Sequence, residues 1–456
     1  MISAVHSGQI ADFGGAGVPT VDETDGIVWG SERTISAEII RELIGRSLSD
    51  NNIGAGGVRI RGANVLNELK LDGLTIPFPL EFIECRFQQP ISLRGSTLAS
   101  LCMMGTRVAG IDARASEVSG DVSLSEGFAA SGEVCFAQAR IGGDLSCVGG
   151  SFDSRRALSA ERAVITGHVL LGNQFKASGH VNFAHAQVGG LFYCAHGLIE
   201  NPGHEALAAD FAKFSGGLLF TNGFKLSGGF RVTSASVQRF LYCSNCSFDG
   251  SEGDALAADG TSIDGDVFLG NWFYAKGTVR FSGARVSGRF SCVGGAFENP
   301  GGCALRLDGI ASAHGLQMHT RFTANGGVDL DRAIIRGSLN CAGGSFTNPG
   351  AVALSARGAS ISEDAILNGG FRARGAVILD DAQIRRLVCS DATFDNRAGI
   401  ALSAKSAHFG GNVLLNDGFH SIGAIQLDGV RIDGIVDCAD GTFERSAGLP
   451  IRAEDT

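Results

Sequence analysis

Proline is scarce in this chain, at 8 of 456 residues. Even with 67 glycines beside it, the combined share stays below the roughly 25–30 % that marks low-complexity disorder. Tryptophan and tyrosine are nearly missing, at 2 and 3 residues against 29 phenylalanines. So one-sided an aromatic choice predicts a single interior slot that takes Phe again and again. No window approaches the ~18 uninterrupted apolar residues of a membrane span. The opening MISAVHSGQIADFGG lacks the basic-then-apolar order of a secretory signal. A soluble, cytoplasmic protein without a transmembrane segment is expected. Basic charge is also short. With 37 Lys and Arg against 47 Asp and Glu, the net charge is −10, which disfavours direct nucleic-acid binding by phosphate neutralisation. Catalytic signatures are missing too. No GxxxxGK[ST] or GxGxxG stands between a strand and a helix, there is no Gly-x-Ser-x-Gly elbow or HExxH, and no paired carboxylate recurs in one register.

What fills the chain instead is repetition, which is sought first because it dictates the fold. Cys147, Cys194, Cys243, Cys292, Cys341, Cys389 and Cys438 are spaced 47, 49, 49, 49, 48 and 49 residues apart. Phe128, Phe175, Phe224, Phe273, Phe322, Phe371 and Phe419 keep step. A third series, Phe152, Phe248, Phe297, Phe346, Phe394 and Phe443, follows most of the cysteines by five residues, with Ile199 in the remaining place. Each long unit divides again. TSIDGDVFLGNWF (261–273) aligns with ARVSGRFSCVGGAF (284–297), so the true unit is about 24 residues, used twice. Apolar residues come as pairs at i and i+2, such as Val279/Phe281 and Phe290/Cys292, which point to one side of an extended chain. Gly or polar residues follow each pair at once. Short strands separated by tight corners, four to a turn, are predicted.

From Ser96 the chain reads STLAS, LCMMG, TRVAG, IDARA, SEVSG, strict pentads with Leu98, Met103, Val108, Ala113 and Val118 central. This resembles the pentapeptide-repeat family. The resemblance covers about residues 58–452 and is strict over 96–120. It implies a right-handed, four-sided parallel β-helix: an all-β solenoid of about 17 coils of ~24 residues. The chain also resembles bacterial β-helical repeat chains with GGDVFL- and GGDLDC-type repeats, which are sometimes labelled membrane-associated oxidoreductase.

Two domains are expected, an N-terminal mobile segment with a capping helix (1–56) and one continuous solenoid (57–456). Ser36 is a good N-cap type, and Ile39, Ile40, Leu43 and Ile44 form an apolar stripe, so a helix over about 36–48 is predicted to cover the first coil. The Gly-rich, acidic first 30 residues are expected to be mobile. No comparable cover follows Ile451, which predicts an end-to-end homodimer through the C-terminal coils (about 402–452).

The cysteines read as core filler, since Leu171, Leu269 and Leu415 take the same slot in alternate turns. Cys243-Ser-Asn-Cys246 is a CxxC without two further ligands near it. The glycine pairs at 149–150, 216–217, 294–295 and 343–344 open no helix and read as corners needing positive φ. No catalytic, cofactor or metal residue is assigned, and no cofactor is expected. The loops carry the one graded surface. ENPG at 200–203 and 298–301, TNPG at 347–350 and DNRAG at 395–399 alternate with GNQFKASG, TNGFKLSG, GNWFYAKG and NGGFRARG. The candidate partner-binding edge is therefore Lys176, Glu200, Asn201, Lys225, Lys276, Glu298, Asn299, Asn348, Arg372, Arg374, Asp395 and Asn396. A non-enzymatic scaffold or protein-interaction module, partner unknown, is the leading function. The family resemblance implies an alternative, because some pentapeptide-repeat proteins mimic duplex DNA and protect or inhibit a topoisomerase. A second alternative is an oxidoreductase or a carbohydrate-active enzyme on a β-helix.

Overall fold

The computed structural model describes residues 9–14, 31–50, 57–444 and 451–454. The chain is an all-β, right-handed parallel β-helix of about 17 turns, with a single α-helix, Ala37–Asp50, among the described residues. Packing divides it into two units, residues 1–201 with 205–216, and residues 202–204 with 217–456. Most of the segment expected to be mobile lies outside the described residues.

In unit 1 the helix starts one residue after Ser36, whose Oγ accepts the Glu38 amide at 3.2 Å, an N-cap of the expected kind. Ile40, Leu43 and Ile44 are buried, and the helix packs on the strand Leu69–Lys70. Ile39, expected in the stripe, is 41 % exposed. Ala37 takes its place, because residues 37, 40 and 44 recur at the three- and four-residue steps of one helix face. The cover is also broader than a helix. Ala11–Asp12 pairs in parallel with Ile60–Arg61, and Thr34–Ile35 with Asn64–Val65.

Each coil in both units has four faces, which are named here in chain order. In unit 1, one coil runs Ala129–Ala130, Val134–Cys135, Arg140–Ile141 and Leu145–Ser146. Each of these strands pairs in parallel with the next coil: Ala130 with Phe152, Val134 with Leu158, Ile141 with Ile165, and Leu145 with Val169. In several coils the first two faces merge into one long strand, as in Ser151–Ser159, with a register shift between Asp153 and Arg156 that turns the corner. In unit 2 the same order gives Tyr274–Lys276, Val279–Arg280, Arg285–Val286 and Phe290–Ser291. All five pentad centres, Leu98 to Val118, are buried.

The two Phe series meet inside. In unit 2, Phe248, Phe273, Phe297, Phe322, Phe346, Phe371, Phe394, Phe419 and Phe443 form one stack with centroids 5.0–5.7 Å apart. One ring per coil comes alternately from the corner (Phe273, Phe322) and from the first face (Phe297, Phe346). Where the corner supplies the ring, the face residue is small, as with buried Ala275 and Ala324. Where the face supplies Phe297 or Phe346, the corner is Gly-Gly; before Phe248, Phe394 and Phe443 it is Asn245-Cys246, Asp391-Ala392 and Asp440-Gly441, the first of each pair also at positive φ. Gly294 and Gly343 have φ of 70° and 65°, and a Cβ on Gly295 or Gly344 would sit 3.0 Å from the ring of Phe297 or Phe346. The first glycine turns the chain and the second makes room for the ring. Each repeat of two coils is one such alternation. The cysteines fill the inward position of the fourth face in alternate coils, Leu171 pairing with Cys194 and Cys243 with Leu269.

This packing generates a test. Phe273→Gly empties the slot and should lose about 3–5 kcal/mol, while Ala275→Phe overfills it and should lose about 1–3 kcal/mol. The double variant copies the Gly295/Phe297 arrangement, so its denaturant midpoint should recover most of the loss seen with Phe273→Gly. Additive losses would mean that the two positions do not share a slot.

Candidate functional site

The candidate edge resolves into two different structures. The charged members lie on the first face, at outward positions of consecutive coils. Lys276 stands between Asp249 and Glu298 in register, and Arg374 beside Asp395. Lys176, Lys225 and Arg372 open their strands one step earlier, and Glu200 follows Ser178 in the next coil. These residues are strand residues rather than corner residues. Several pair along the face: Lys176 with Glu200 and Lys276 with Asp249, each at 3.9 Å, and Arg397 with Asp395 at 3.5 Å. Exposed pairs of this kind are worth about 0–1 kcal/mol each.

The four asparagines do something else. The Nδ2 of Asn201, Asn299, Asn348 and Asn396 donates to the carbonyl four residues on, at 2.6, 3.1, 2.9 and 2.8 Å. Each ties off its own loop. Asn348 is buried, and all four amides hold their own loops.

A site absent from the sequence reading lies on the fourth face of unit 2. There the inward residues Leu241, Val267, Phe290 and Leu316 pair coil to coil, which leaves Tyr242, Phe268, Ser291 and Gln317 as an outward row in register. Phe240 joins the aromatic end, its ring 4.5 Å from Tyr242, and Tyr242 lies 6.1 Å from Phe268. Gly217 makes this possible, since a Cβ there would meet the Phe240 ring at 2.5 Å. Small Ser291 leaves a hollow of about 500 Å³ between the rings and the opposite wall of Gln317 and His319. His319 contacts Thr320 Oγ1 through Nδ1 at 2.9 Å, and burial lowers its pKa, so the imidazole is neutral near pH 7.

A second hollow, of about 460 Å³, continues round the corner towards the first face and shares Val293 with the first. Its walls are Trp272 and Arg321. Asn271 and Trp272 both have left-handed φ, 45° and 70°, as do Thr320 and Arg321 at 42° and 63°. This turn sends Phe273 and Phe322 inward, so the residue before each is thrown out, and Trp272 is 73 % exposed. Between the two corners stands Gly294, and without a side chain there Arg321 Cζ reaches to 5.9 Å from the Trp272 ring. At the rim, the Tyr274 hydroxyl donates to Glu298 at 2.7 Å. Burial and this carboxylate push the phenol pKa up to about 12.

The nearest carboxylate to the row, Asp266, is structurally engaged. It accepts the Arg289 amide at 2.8 Å, as Asp121 accepts that of Asp144 and Asp144 that of His168. The Gly-Asp motif of the repeats is thus a bridge between coils. Among the described residues no three His, Cys, Asp or Glu side chains come together as a metal-holding group. Burial pushes the thiols of Cys147, Cys292, Cys341 and Cys389 far up, keeping them as neutral core residues. Among the described residues no helix is long and apolar enough to cross a membrane. No family model, no curated protein and no solved structure matches the chain.

The split within the edge is directly testable. Asn348→Ala removes the hydrogen bond from a buried amide to the Val352 carbonyl and should cost about 0.5–1.5 kcal/mol. Lys276→Ala, on the exposed face, should stay within about 0.5 kcal/mol of the parent. Denaturant midpoints of the two variants measure both, and equal losses would contradict the assignment.

Proposed function

We propose that the chain is a non-enzymatic interaction module on a pentapeptide-like β-helix, engaging its partner through the aromatic groove of unit 2. The observation that carries this reading is the outward row Tyr242, Phe268, Ser291 and Gln317. Outward positions on a solenoid contribute nothing to its core, so two aromatic side chains spent there, beside an exposed tryptophan, are explained by contact with something else. The kinship to pentapeptide-repeat proteins is supported by the four short faces per coil and by the buried pentad centres over 96–120. DNA mimicry calls for an acidic stripe, whereas the first face alternates Asp249, Lys276, Glu298 and Arg374, Asp395. The enzyme alternatives find little support in the groove, where Asp266 is bound to a backbone amide and Tyr274 to Glu298.

Immobilised full-length protein, challenged with cell extract, tests this reading. Ligands held by the parent should be lost from Phe268→Asp, kept by a Lys276→Glu/Arg374→Glu variant, and eluted chemically unchanged. Retention lost only in the charge variant would move the working surface to the first face. Recovery of a converted ligand would make the protein an enzyme.

A second reading, self-association through the C-terminal coils, rests on separate residues. In the last described coil Val436 and Phe443 are exposed or half-exposed, although their counterparts Val413 and Phe419 in the preceding coil are buried, and Ile435 is 60 % exposed. Residues 445–450 of the expected interface lie outside the described residues. Sedimentation velocity should show a concentration-dependent dimer that Ile435→Asp converts to monomer. A monomer at all concentrations would refute it.

A further inference from the structure

We infer that the groove of unit 2 is an oligosaccharide-binding site; this rests on the reading of that groove as the interaction surface and names the class of its ligand. The two sides of the first hollow differ in chemistry. Phe268 and Tyr242 offer ring faces and edges on one side, while Gln317 and the neutral His319 offer hydrogen-bonding groups on the other, across Ser291; Asp266 and Arg289, which also line the hollow, are paired with each other at 3.7 Å. A pyranose has the matching asymmetry, with an apolar C–H face that stacks on aromatic rings and a rim of hydroxyls that both donate and accept. An amide and a neutral imidazole each donate and accept too, and so suit a hydroxyl pair better than a charged group.

The second hollow extends the match. Trp272 is 73 % exposed yet held by its left-handed backbone, with its amide bonded to the Gly294 carbonyl at 3.1 Å. With its backbone anchored, only the two side-chain torsions of the indole remain to be ordered on contact. Because the hollows share Val293, they suit a chain of several sugars rather than a single ring. Successive outward residues are one coil apart, ~4.8 Å, which is close to the advance of one pyranose along an extended chain. An apolar peptide strand fits less well, because it would leave the polar groups of Ser291, Gln317 and His319 in the first hollow without hydrogen-bond partners.

Hexasaccharides of glucose and of a uronic acid, titrated into the full-length chain, are the probes. Tryptophan fluorescence and calorimetry supply the readout. At least one hexasaccharide should bind saturably and perturb the fluorescence. Trp272→Ala and, separately, Gln317→Ala should weaken it about tenfold or more, with unchanged melting temperatures. Absence of binding by both sugars to a normally melting protein overturns the inference, as does binding that survives both substitutions. If sugars fail while a protein ligand is retained and lost in Trp272→Ala, the saccharide is wrong and the groove stands. If a sugar binds and is cleaved, the saccharide stands and the non-enzymatic reading falls.

Discussion

From Phe248 to Phe443 each coil places one aromatic ring in the same interior slot. A parallel β-helix has a cross-section fixed by its four short faces, and a ring there fills the width while its neighbours above and below supply the contacts. The nine-ring stack of unit 2 meets this demand from two backbone positions in alternation. The rest of the repeat follows from that alternation. A coil that brings its ring from the corner keeps a small residue on the face, and a coil that brings it from the face has a left-handed residue followed by a small one at the corner, Gly-Gly before Phe297 and Phe346. The chain therefore repeats every two coils although the backbone repeats every one. Alternating Cys with Leu, Met or Phe on the fourth face adjusts volume in the same rhythm.

The outer groove is a by-product of this inner rule. Turning Phe273 inward takes two consecutive left-handed residues, which throws Trp272 outward; the same geometry two coils on throws Arg321 outward. The intervening coil is of the Gly-Gly kind, so Gly294 leaves the gap in which the tryptophan and the guanidinium face each other. A packing requirement thus fixes three of the features that shape the second hollow. Backbone bridges do similar double duty elsewhere. Asp266 and its equivalents hold the next coil's amide, and the loop asparagines hold their own carbonyls, so conspicuous polar residues are spent on the scaffold.

Much of this was legible beforehand. The cysteine and phenylalanine periods, the paired apolar residues and the pentads from Ser96 lead to a four-sided coil, and Ser36 with Ile40, Leu43 and Ile44 to its covering helix. In the candidate edge the asparagines were grouped with the charges because both sit in the same stretches of sequence. Only the hydrogen bonds from Asn201, Asn299, Asn348 and Asn396 separate them. The groove had a signal that composition alone could have raised. In a chain that fills its interior with Phe, each rare Tyr or Trp carries a polar handle suited to the surface, and Tyr242 and Tyr274 sit between inward residues.

The sequence by itself determined the coil, its length and its inward set, because side-chain period and strand pairing are local and repeat identically along the chain. It also determined which end carries a helix. What only the tertiary structure decided is which residues 22 to 49 positions apart become neighbours on the outside: Tyr242 with Phe268, Trp272 with Arg321, Lys276 with Asp249 and Glu298. Inward positions are constrained by volume in every coil and so leave a periodic trace. Outward positions face no such volume constraint, so beyond recurring bridges such as Asp121, Asp144 and Asp266 their identities vary, and their juxtaposition emerges only once the coils are stacked in register.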